Sequence, residues 1–189
     1  LNNFTLPQTT NVPVATITTN VSTICQNDSI QFTASGTNNT TGYSWTFPGG
    51  TPSTSTSQSV WVKFSSGTKV CSLRVANSIM YSAYVTKSVT INPSPAANIS
   101  YNSTIVLCDG DSLPLTISNV SGNTYQWSKD GNNISGATGN TYQAKLSGVY
   151  RVLVTNTGCS TLSSPVTLSF NTKPNATLTA PTGVTSCSG

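Results

Sequence analysis

Five cysteines are the residues of this chain best suited to covalent chemistry, and their spacing favours disulfides over metal binding. They are Cys25, Cys71, Cys108, Cys159 and Cys187. Zinc sites use cysteines two to four residues apart, or histidines, and the sequence has neither. Cysteines in a chain with only 6% charged residues are instead typical of an extracellular disulfide framework. We therefore expect no metal and no cofactor.

The acidic residues are too few for catalysis. They are Asp28, Asp109, Asp111 and Asp130, and there is no glutamate or histidine. A Ser-His-Asp triad cannot form without histidine, and a glycosidase needs two facing carboxylates, whereas these aspartates fall in predicted turns. The pair Asp109 and Asp111 offers a poor calcium site, and a turn before a strand is the simpler interpretation. We expect a protein that is not an enzyme.

Charge and hydropathy also limit the partners. The net charge of +4 comes from scattered Lys and Arg residues, whereas nucleic-acid binding favours a basic stripe with interleaved aromatics. No segment approaches the roughly 20 apolar residues of a membrane helix. We expect neither a nucleic-acid partner nor membrane insertion.

The elements that position these residues are predicted to be β-strands throughout. Hydrophobic side chains alternate with polar ones in short runs, as in Ile30 and Phe32, and in Val60, Val62 and Phe64. Alternation with a period of two indicates sheets with one covered face. Trp45 and Trp127 occupy matching strand positions and are interpreted as core residues. Trp61 points away from its apolar neighbours and is predicted to be exposed.

A repeated phrase shows that the chain is a tandem array. Residues 25–32 read CQNDSIQF, residues 108–115 read CDGDSLPL, and residues 187–189 read CSG. The three cysteines are 83 and 79 residues apart, and a strand that begins with proline precedes each one. A fixed period with a fixed opening motif indicates similar consecutive domains. We expect the sequence to be a window of a longer array.

Two family resemblances follow from these repeats. Residues 43–50 (YSWTFPGG) and 67–77 (GTKVCSLRVAN) resemble a PKD-type domain, with Thr46, Pro48 and Gly49 in place of that family's acidic turn. Residues 110–117 (GDSLPLTI), Trp127 and residues 148–152 (GVYRV) resemble a bacterial immunoglobulin-like domain. The combination is similar to repeat regions of giant surface proteins, or adhesins, that Bacteroidota export by type IX secretion.

These resemblances imply an all-β fold of tandem immunoglobulin-like (PKD/Ig) antiparallel β-sandwiches. The expected organisation is the end of a preceding repeat and a linker at 1–11, a PKD-like sandwich at 12–93, an Ig-like sandwich at 94–171, and the start of a third repeat at 172–189. Ile117 and Val152 take the positions of the antibody disulfide, so that an aliphatic pair is expected beside Trp127.

The resemblance also suggests cysteine pairs. Cys25 and Cys71 fall at the same end of such a sandwich, which favours a bridge between them, and two buried thiols are the alternative. Cys108 and Cys159 form the second candidate pair. In the usual topology Cys159 is expected at the end of the sandwich opposite to Cys108, so that this bridge needs a short, shifted strand before Cys159. Otherwise Cys159 pairs elsewhere or is free. Cys187 is expected to pair within the third repeat.

Two kinds of surface site are also predicted. Asp28-Ser29-Ile30 and Asp111-Ser112-Leu113 match the sequon that the resembled phylum uses for O-glycosylation, with Ser29 and Ser112 as the attachment residues. The alternative is that Asp and Ser simply favour turns. Trp61 is the candidate contact for a ligand or partner.

The functional hypothesis is a structural or adhesive repeat segment of a long secreted cell-surface protein. It would act as a rigid spacer or a filament-forming module, and its partners would be neighbouring repeats and other copies of the protein. The alternative is a polysaccharide-binding accessory module of a secreted hydrolase that contacts surface glycans through Trp61, Tyr81 and Tyr84. Both hypotheses place the protein outside the cell.

Overall fold

A computed structural model describes residues 11–101 and 103–172, and these form two compact units. The first unit contains the described residues through Ala96 together with Thr155–Thr161, and the second contains Ala97–Val154 and the described residues from Leu162 onward. The sequence predicts sandwiches at 12–93 and 94–171, so residues 155–161 are expected in the second sandwich, whereas the structure groups them with the first unit. The predicted end of a preceding repeat and linker at 1–11, and the predicted start of a third repeat at 172–189, lie outside the described residues except for residues 11 and 172.

The first unit is a β-sandwich of two sheets. Its strands are β1 (Ala15–Thr19), β2 (Thr23–Cys25), β3 (Ser29–Gly36), β4 (Gly42–Thr46), β5 (Gly50–Thr51), β6 (Thr54–Ser55), β7 (Ser59–Phe64), β8 (Gly67–Ala76) and β9 (Val85–Asn92). One sheet has the order β1-β3-β7-β5 and the other β2-β9-β8-β4-β6. Neighbouring strands are antiparallel except β2 and β9, which are parallel. This division of strands is that of an immunoglobulin-like sandwich.

Aromatic side chains fill the core of the first unit. The ring of Phe32 lies 5.9 Å from that of Trp45, 4.9 Å from that of Phe47 and 6.3 Å from that of Phe64, measured between centroids. All four side chains are buried. Gly50 lies against this cluster, because a Cβ there would come within 2.7 Å of Val62 Cγ1. The alternating pattern of the sequence therefore predicts the buried faces correctly.

The second unit has the same plan with a shorter second sheet. Its strands are β10 (Thr104–Cys108), β11 (Leu113–Thr116), β12 (Thr124–Lys129), β13 (Asn132–Asn133), β14 (Thr141–Ala144), β15 (Gly148–Asn156), β16 (Cys159–Leu162) and β17 (Val166–Asn171). Residues 155–156 of β15 and 159–161 of β16 are grouped with the first unit. The larger sheet runs β10-β17-β15-β12-β13, with β16 also paired to β15, and the smaller sheet joins β11 to β14. Trp127, Ile117 and Val152 lie in one core, as predicted.

Two local features of the second unit follow directly from its sequence. Asp130 and Gly131, at φ values of 51° and 82°, form the two-residue turn between β12 and β13. This is the hairpin that an Asp-Gly pair favours, because both positions need positive φ. Pro114 lies in β11 with its side chain exposed, paired only to β14. β11 has a strand partner on one edge only, and such an edge strand tolerates a proline without an amide N–H.

The repeated phrase has the same structural role in both units. Cys25 ends β2 opposite Asn92, and Cys108 ends β10 opposite Asn171, each in a parallel pair. The next amide N–H then bonds to the same asparagine, Gln26 to Asn92 O at 2.8 Å and Asp109 to Asn171 O at 2.7 Å. The two described units are thus tandem Ig-like sandwiches, and the all-β prediction is confirmed.

Candidate functional sites

A disulfide joins Cys25 at the end of β2 to Cys159 at the start of β16, with 5.6 Å between the two Cα atoms. Both residues belong to the first unit, because the segment Thr155–Thr161 packs there. Asn92 supports the same segment by donating from Nδ2 to the carbonyl oxygen of Thr157 at 3.1 Å. The bond closes a covalent loop with a sequence separation of 134 residues.

The expected Cys25–Cys71 bridge is wrong, and the register of β9 explains why. Cys25 is opposite Asn92 of β9, whereas Cys71 is opposite Lys87 of the same strand. Five residues of strand span about 17 Å, and a disulfide needs Cα atoms within about 7 Å. Cys71 is a buried free thiol, which was the alternative, and burial raises its pKa to about 11.

The predicted Cys108–Cys159 bridge is also wrong, because the two cysteines lie at opposite ends of the strand β15. Cys108 lies beside Asn171, near the Gly148 end of β15, whereas Cys159 follows the Asn156 end. The length of β15 between these ends is about 26 Å. Cys108 is an exposed free thiol among the described residues, and Cys187 lies outside them.

The three tryptophans divide as predicted. Trp45 and Trp127 are buried, and each indole Nε1 donates to a carbonyl oxygen 12 residues further on, Ser57 at 2.9 Å and Gly139 at 2.8 Å. Both are therefore core residues in equivalent positions. Trp61 on β7 is 54% exposed. Tyr81 and Tyr84 lie near the other sheet of the first unit, so the three exposed aromatics do not form one row.

The acidic residues shape turns. Asp111 Oδ2 accepts from the backbone N–H of Cys108 at 3.3 Å. Asp130 accepts from Lys129 Nζ at 2.7 Å and from the N–H of Val149 at 2.8 Å, and these bonds lower the pKa of the Asp130 carboxyl. In the described ranges, no three cysteine or acidic side chains come together as a metal site would require.

The two proposed glycosylation residues differ in exposure. Ser112 is exposed just before β11, whereas Ser29, the first residue of β3, is half-buried. Both sit directly after the turn that the repeated phrase forms. Their modification stays a prediction.

An unpredicted site surrounds Arg74 on β8. The guanidinium Cζ lies 4.4 Å from the ring centroid of Tyr81 and 5.2 Å from that of Tyr84. Both rings are largely exposed, at 61% and 59%. The sequence predicts the two tyrosines as surface aromatics but gives no signal for Arg74, because a single arginine in an alternating strand has the pattern of an ordinary outward side chain.

Arg74 lines a cavity of about 270 Å³ on the outer face of β4 and β8, together with Tyr43, Ser44, Thr56 and Tyr81. An equivalent arginine lies on the second unit. Val75 donates its N–H to Ser82 Oγ, and Val152 donates its N–H to Ser163 Oγ, both at 3.0 Å. Arg74 and Arg151 are the residues before these valines, and Arg151 also lines a cavity, of about 420 Å³.

One protein-family model matches part of the chain. Residues 96–172 match a family model described as a domain of unknown function (DUF8696). No curated protein matches the chain. The matched range covers the described residues of the second unit and also contains Thr155–Thr161.

Solved structures similar to the chain contain consecutive immunoglobulin domains. The N-terminal Ig1-2 module of the Drosophila receptor protein tyrosine phosphatase DLAR is 12% identical, with coverage of 85% of this chain and 99% of that chain and a TM-score of 0.35. The N-terminal four Ig domains of Dscam1 isoform 6.9 are 18% identical, with coverage of 79% and 43% and a TM-score of 0.33. The assignment of the fold rests on the strand order of each unit.

No helix among the described residues is long and apolar enough to cross a membrane.

Proposed function

We propose that this chain is a structural segment of a secreted cell-surface protein, in which tandem Ig-like units serve as a spacer. The Cys25–Cys159 disulfide is the observation that carries the proposal. Disulfides persist in oxidising surroundings outside the cytosol, and a bond that closes a loop of this length protects the enclosed sequence from extension. A covalent lock of this kind suits a protein that bears mechanical load.

Composition supports a load-bearing role with little chemistry. Pro93 and Pro95 lie in the last residues of the first unit before the boundary at Ala96, and proline limits the bending of the chain there. Only 6% of residues are charged, so that the hydroxyl-rich surface stays hydrated with little dependence on salt. The partners in this proposal are neighbouring repeats of the same chain and other copies in a filament.

The finer proposals concern source and modification. The PKD-type motif of the first unit and the Ig-like motif of the second suggest an adhesin of the Bacteroidota that is exported by type IX secretion. Ser29 and Ser112 are the proposed O-glycan attachment sites, because each follows an aspartate and precedes an aliphatic residue in the repeated phrase.

Mass spectrometry of the native protein tests these proposals. Non-reducing peptide mapping is expected to recover Cys25 linked to Cys159, and intact mass is expected to exceed the 19.7 kDa of the chain by the mass of glycans on this segment. A fully reduced native protein would contradict the extracellular spacer. A mass equal to that of the bare chain would reject only the glycosylation proposal.

A polysaccharide-binding accessory module is the second candidate function. The exposed rings of Tyr81 and Tyr84 beside Arg74 favour it, because aromatic rings stack on sugars. Affinity electrophoresis on a panel of polysaccharides tests this candidate. Retardation that Trp61→Ala abolishes would place the site on β7, whereas retardation that only Tyr81→Ala abolishes would place it beside Arg74.

A further inference from the structure

The guanidinium of Arg74 has no hydrogen-bond acceptor and no ion-pair partner among the residues that the structure describes. Its Nε atom is shielded from solvent and unpaired there. Arginine has five N–H donors, and leaving a shielded donor without an acceptor costs about 1–3 kcal/mol. An arginine held in this way has unused capacity for an anionic group.

Two tyrosines hold the guanidinium in place. Cζ of Arg74 lies 4.4 Å from the Tyr81 centroid and 5.2 Å from the Tyr84 centroid. Cation–π contacts fix its position without consuming its N–H donors. The planar fork is therefore pre-organised, and a carboxylate can accept two parallel hydrogen bonds from such a fork.

The chain itself has few carboxylates to satisfy this fork. Its four aspartates are the only acidic side chains, and none of them lines the cavity beside Arg74. No aspartate of the chain therefore competes with a bound anion for this fork.

The rest of the cavity wall is suited to a sugar. Tyr81 presents an exposed aromatic ring, and Ser44 and Thr56 contribute hydroxyl-bearing side chains. The Tyr81 ring can stack on an apolar face of a sugar, and the hydroxyl groups of Ser44 and Thr56 can exchange hydrogen bonds with those of the sugar. An acidic peptide would use the guanidinium but has less use for this combination of rings and hydroxyls.

We propose that the cavity around Arg74 binds a carboxylated saccharide, with the uronate carboxyl on the Arg74 fork and the sugar ring against Tyr81. This proposal rests on the glycan-binding alternative and is independent of the spacer function. The equivalent Arg151 lacks flanking tyrosines in its cavity lining, which contains Val149, Leu153 and Leu162 instead. The saccharide site is therefore assigned to the first unit alone.

Isothermal titration with hexagalacturonate tests the proposal, and its fully methyl-esterified form is the matched ligand without charge. We expect the acid form to bind and the ester to bind at least tenfold more weakly. Arg74→Lys keeps the charge but removes the fork, and we expect at least a tenfold loss. Lys63→Gln removes one exposed charge on β7 and is expected to change affinity less than twofold.

Tyr81→Ala is the second variant, in case the Arg74 variant fails to fold. Because Tyr81 is exposed, its replacement is expected to leave the fold intact. We expect it to weaken binding of the acid form at least fivefold. Equal binding of acid and ester, an unchanged affinity in Tyr81→Ala, or no binding at millimolar concentration would overturn the proposal. So would a hexaglutamate peptide that binds as tightly as hexagalacturonate. None of these results would affect the disulfide or the spacer function.

Discussion

Cys25 and Cys159 are bonded across a sequence separation of 134 residues, so that a single covalent link spans most of the described chain. The two cysteines lie at strand ends, Cys25 at the end of β2 and Cys159 at the start of β16. The link therefore fixes the segment Thr155–Thr161 to the first unit without interrupting either β-ladder.

Removal of this disulfide is expected to destabilise the protein substantially. Closure of a loop of this length lowers the entropy of the unfolded chain, which corresponds to about 5 kcal/mol in the chain-entropy model. We expect Cys25→Ser to lower the midpoint of thermal unfolding by about 10 °C or more, measured by circular dichroism. The double variant Cys25→Ser/Cys159→Ser should match the single variant.

Cys108→Ser is the matched control for this experiment, because Cys108 occupies the equivalent position in β10 but is a free, exposed thiol. We expect its midpoint to stay within about a degree of the original. An unchanged midpoint in Cys25→Ser would contradict the stabilising role of the bond.

The buried thiol of Cys71 predicts a specific loss of stability at alkaline pH. Burial raises its pKa from 9.0 to about 11, so that the folded state holds the proton more tightly than the unfolded state. This contribution is fully present below pH 9 and is lost as pH rises toward 11. In Cys71→Val the fall in unfolding free energy between pH 9 and 11 should be smaller than in the original protein.

Thiol labelling gives an independent measure of the same difference. Iodoacetamide should modify Cys108 in the folded protein within minutes at pH 8, whereas Cys71 should react only after denaturation. Rapid modification of Cys71 in the folded state would show that its strand position in β8 is not buried.

Replacement of each tryptophan by alanine tests whether its ring is buried in the core or exposed on the surface. Trp45→Ala and Trp127→Ala each remove a buried ring and the hydrogen bond of its indole N–H, and we expect losses of about 3–5 kcal/mol by chemical denaturation. Trp61→Ala, at a 54% exposed position, should change the unfolding free energy by less than about 0.5 kcal/mol. A large loss in Trp61→Ala would mean that its ring packs against the protein rather than being available for a partner.

Ser82 and Ser163 have the same role in the two units. Each Oγ accepts the backbone N–H of a valine, Val75 and Val152 respectively, at 3.0 Å in a buried site. Replacement by alanine leaves that N–H without its acceptor, and we expect Ser82→Ala and Ser163→Ala each to cost about 1–3 kcal/mol. Ser164→Ala, at the exposed neighbouring position, should be neutral; equal effects at 163 and 164 would contradict the role of the hydrogen bond.

The fold was largely predictable because its information is local. The alternation at Ile30 and Phe32 identifies a buried face, Asp130-Gly131 identifies a turn, and the position of Trp61 among apolar neighbours identifies an outward side chain. In each case the physical cause lies within a few residues of sequence. The repeated phrase adds long-range information, because it marks the same parallel strand pair in both units.

The sites were less predictable because they depend on tertiary register. Whether Cys25 reaches Cys71 depends on their offset along β9, which neither residue's neighbours reveal. The partner Cys159 lies in a segment that packs with the first unit although its flanking strands build the second. Likewise, the contact of Arg74 with Tyr81 and Tyr84 depends on how the segment after β8 folds back.

Stretching of the single molecule tests the spacer most directly. When the chain is pulled from its ends, the intact bond leaves only the 24 residues before Cys25 and the 30 residues after Cys159 free to extend. At about 3.5 Å per residue, the extended length is about 19 nm with the bond and about 66 nm after reduction. We predict that a reductant releases this additional length. Equal extension with and without reductant would contradict the covalent lock on which the account rests.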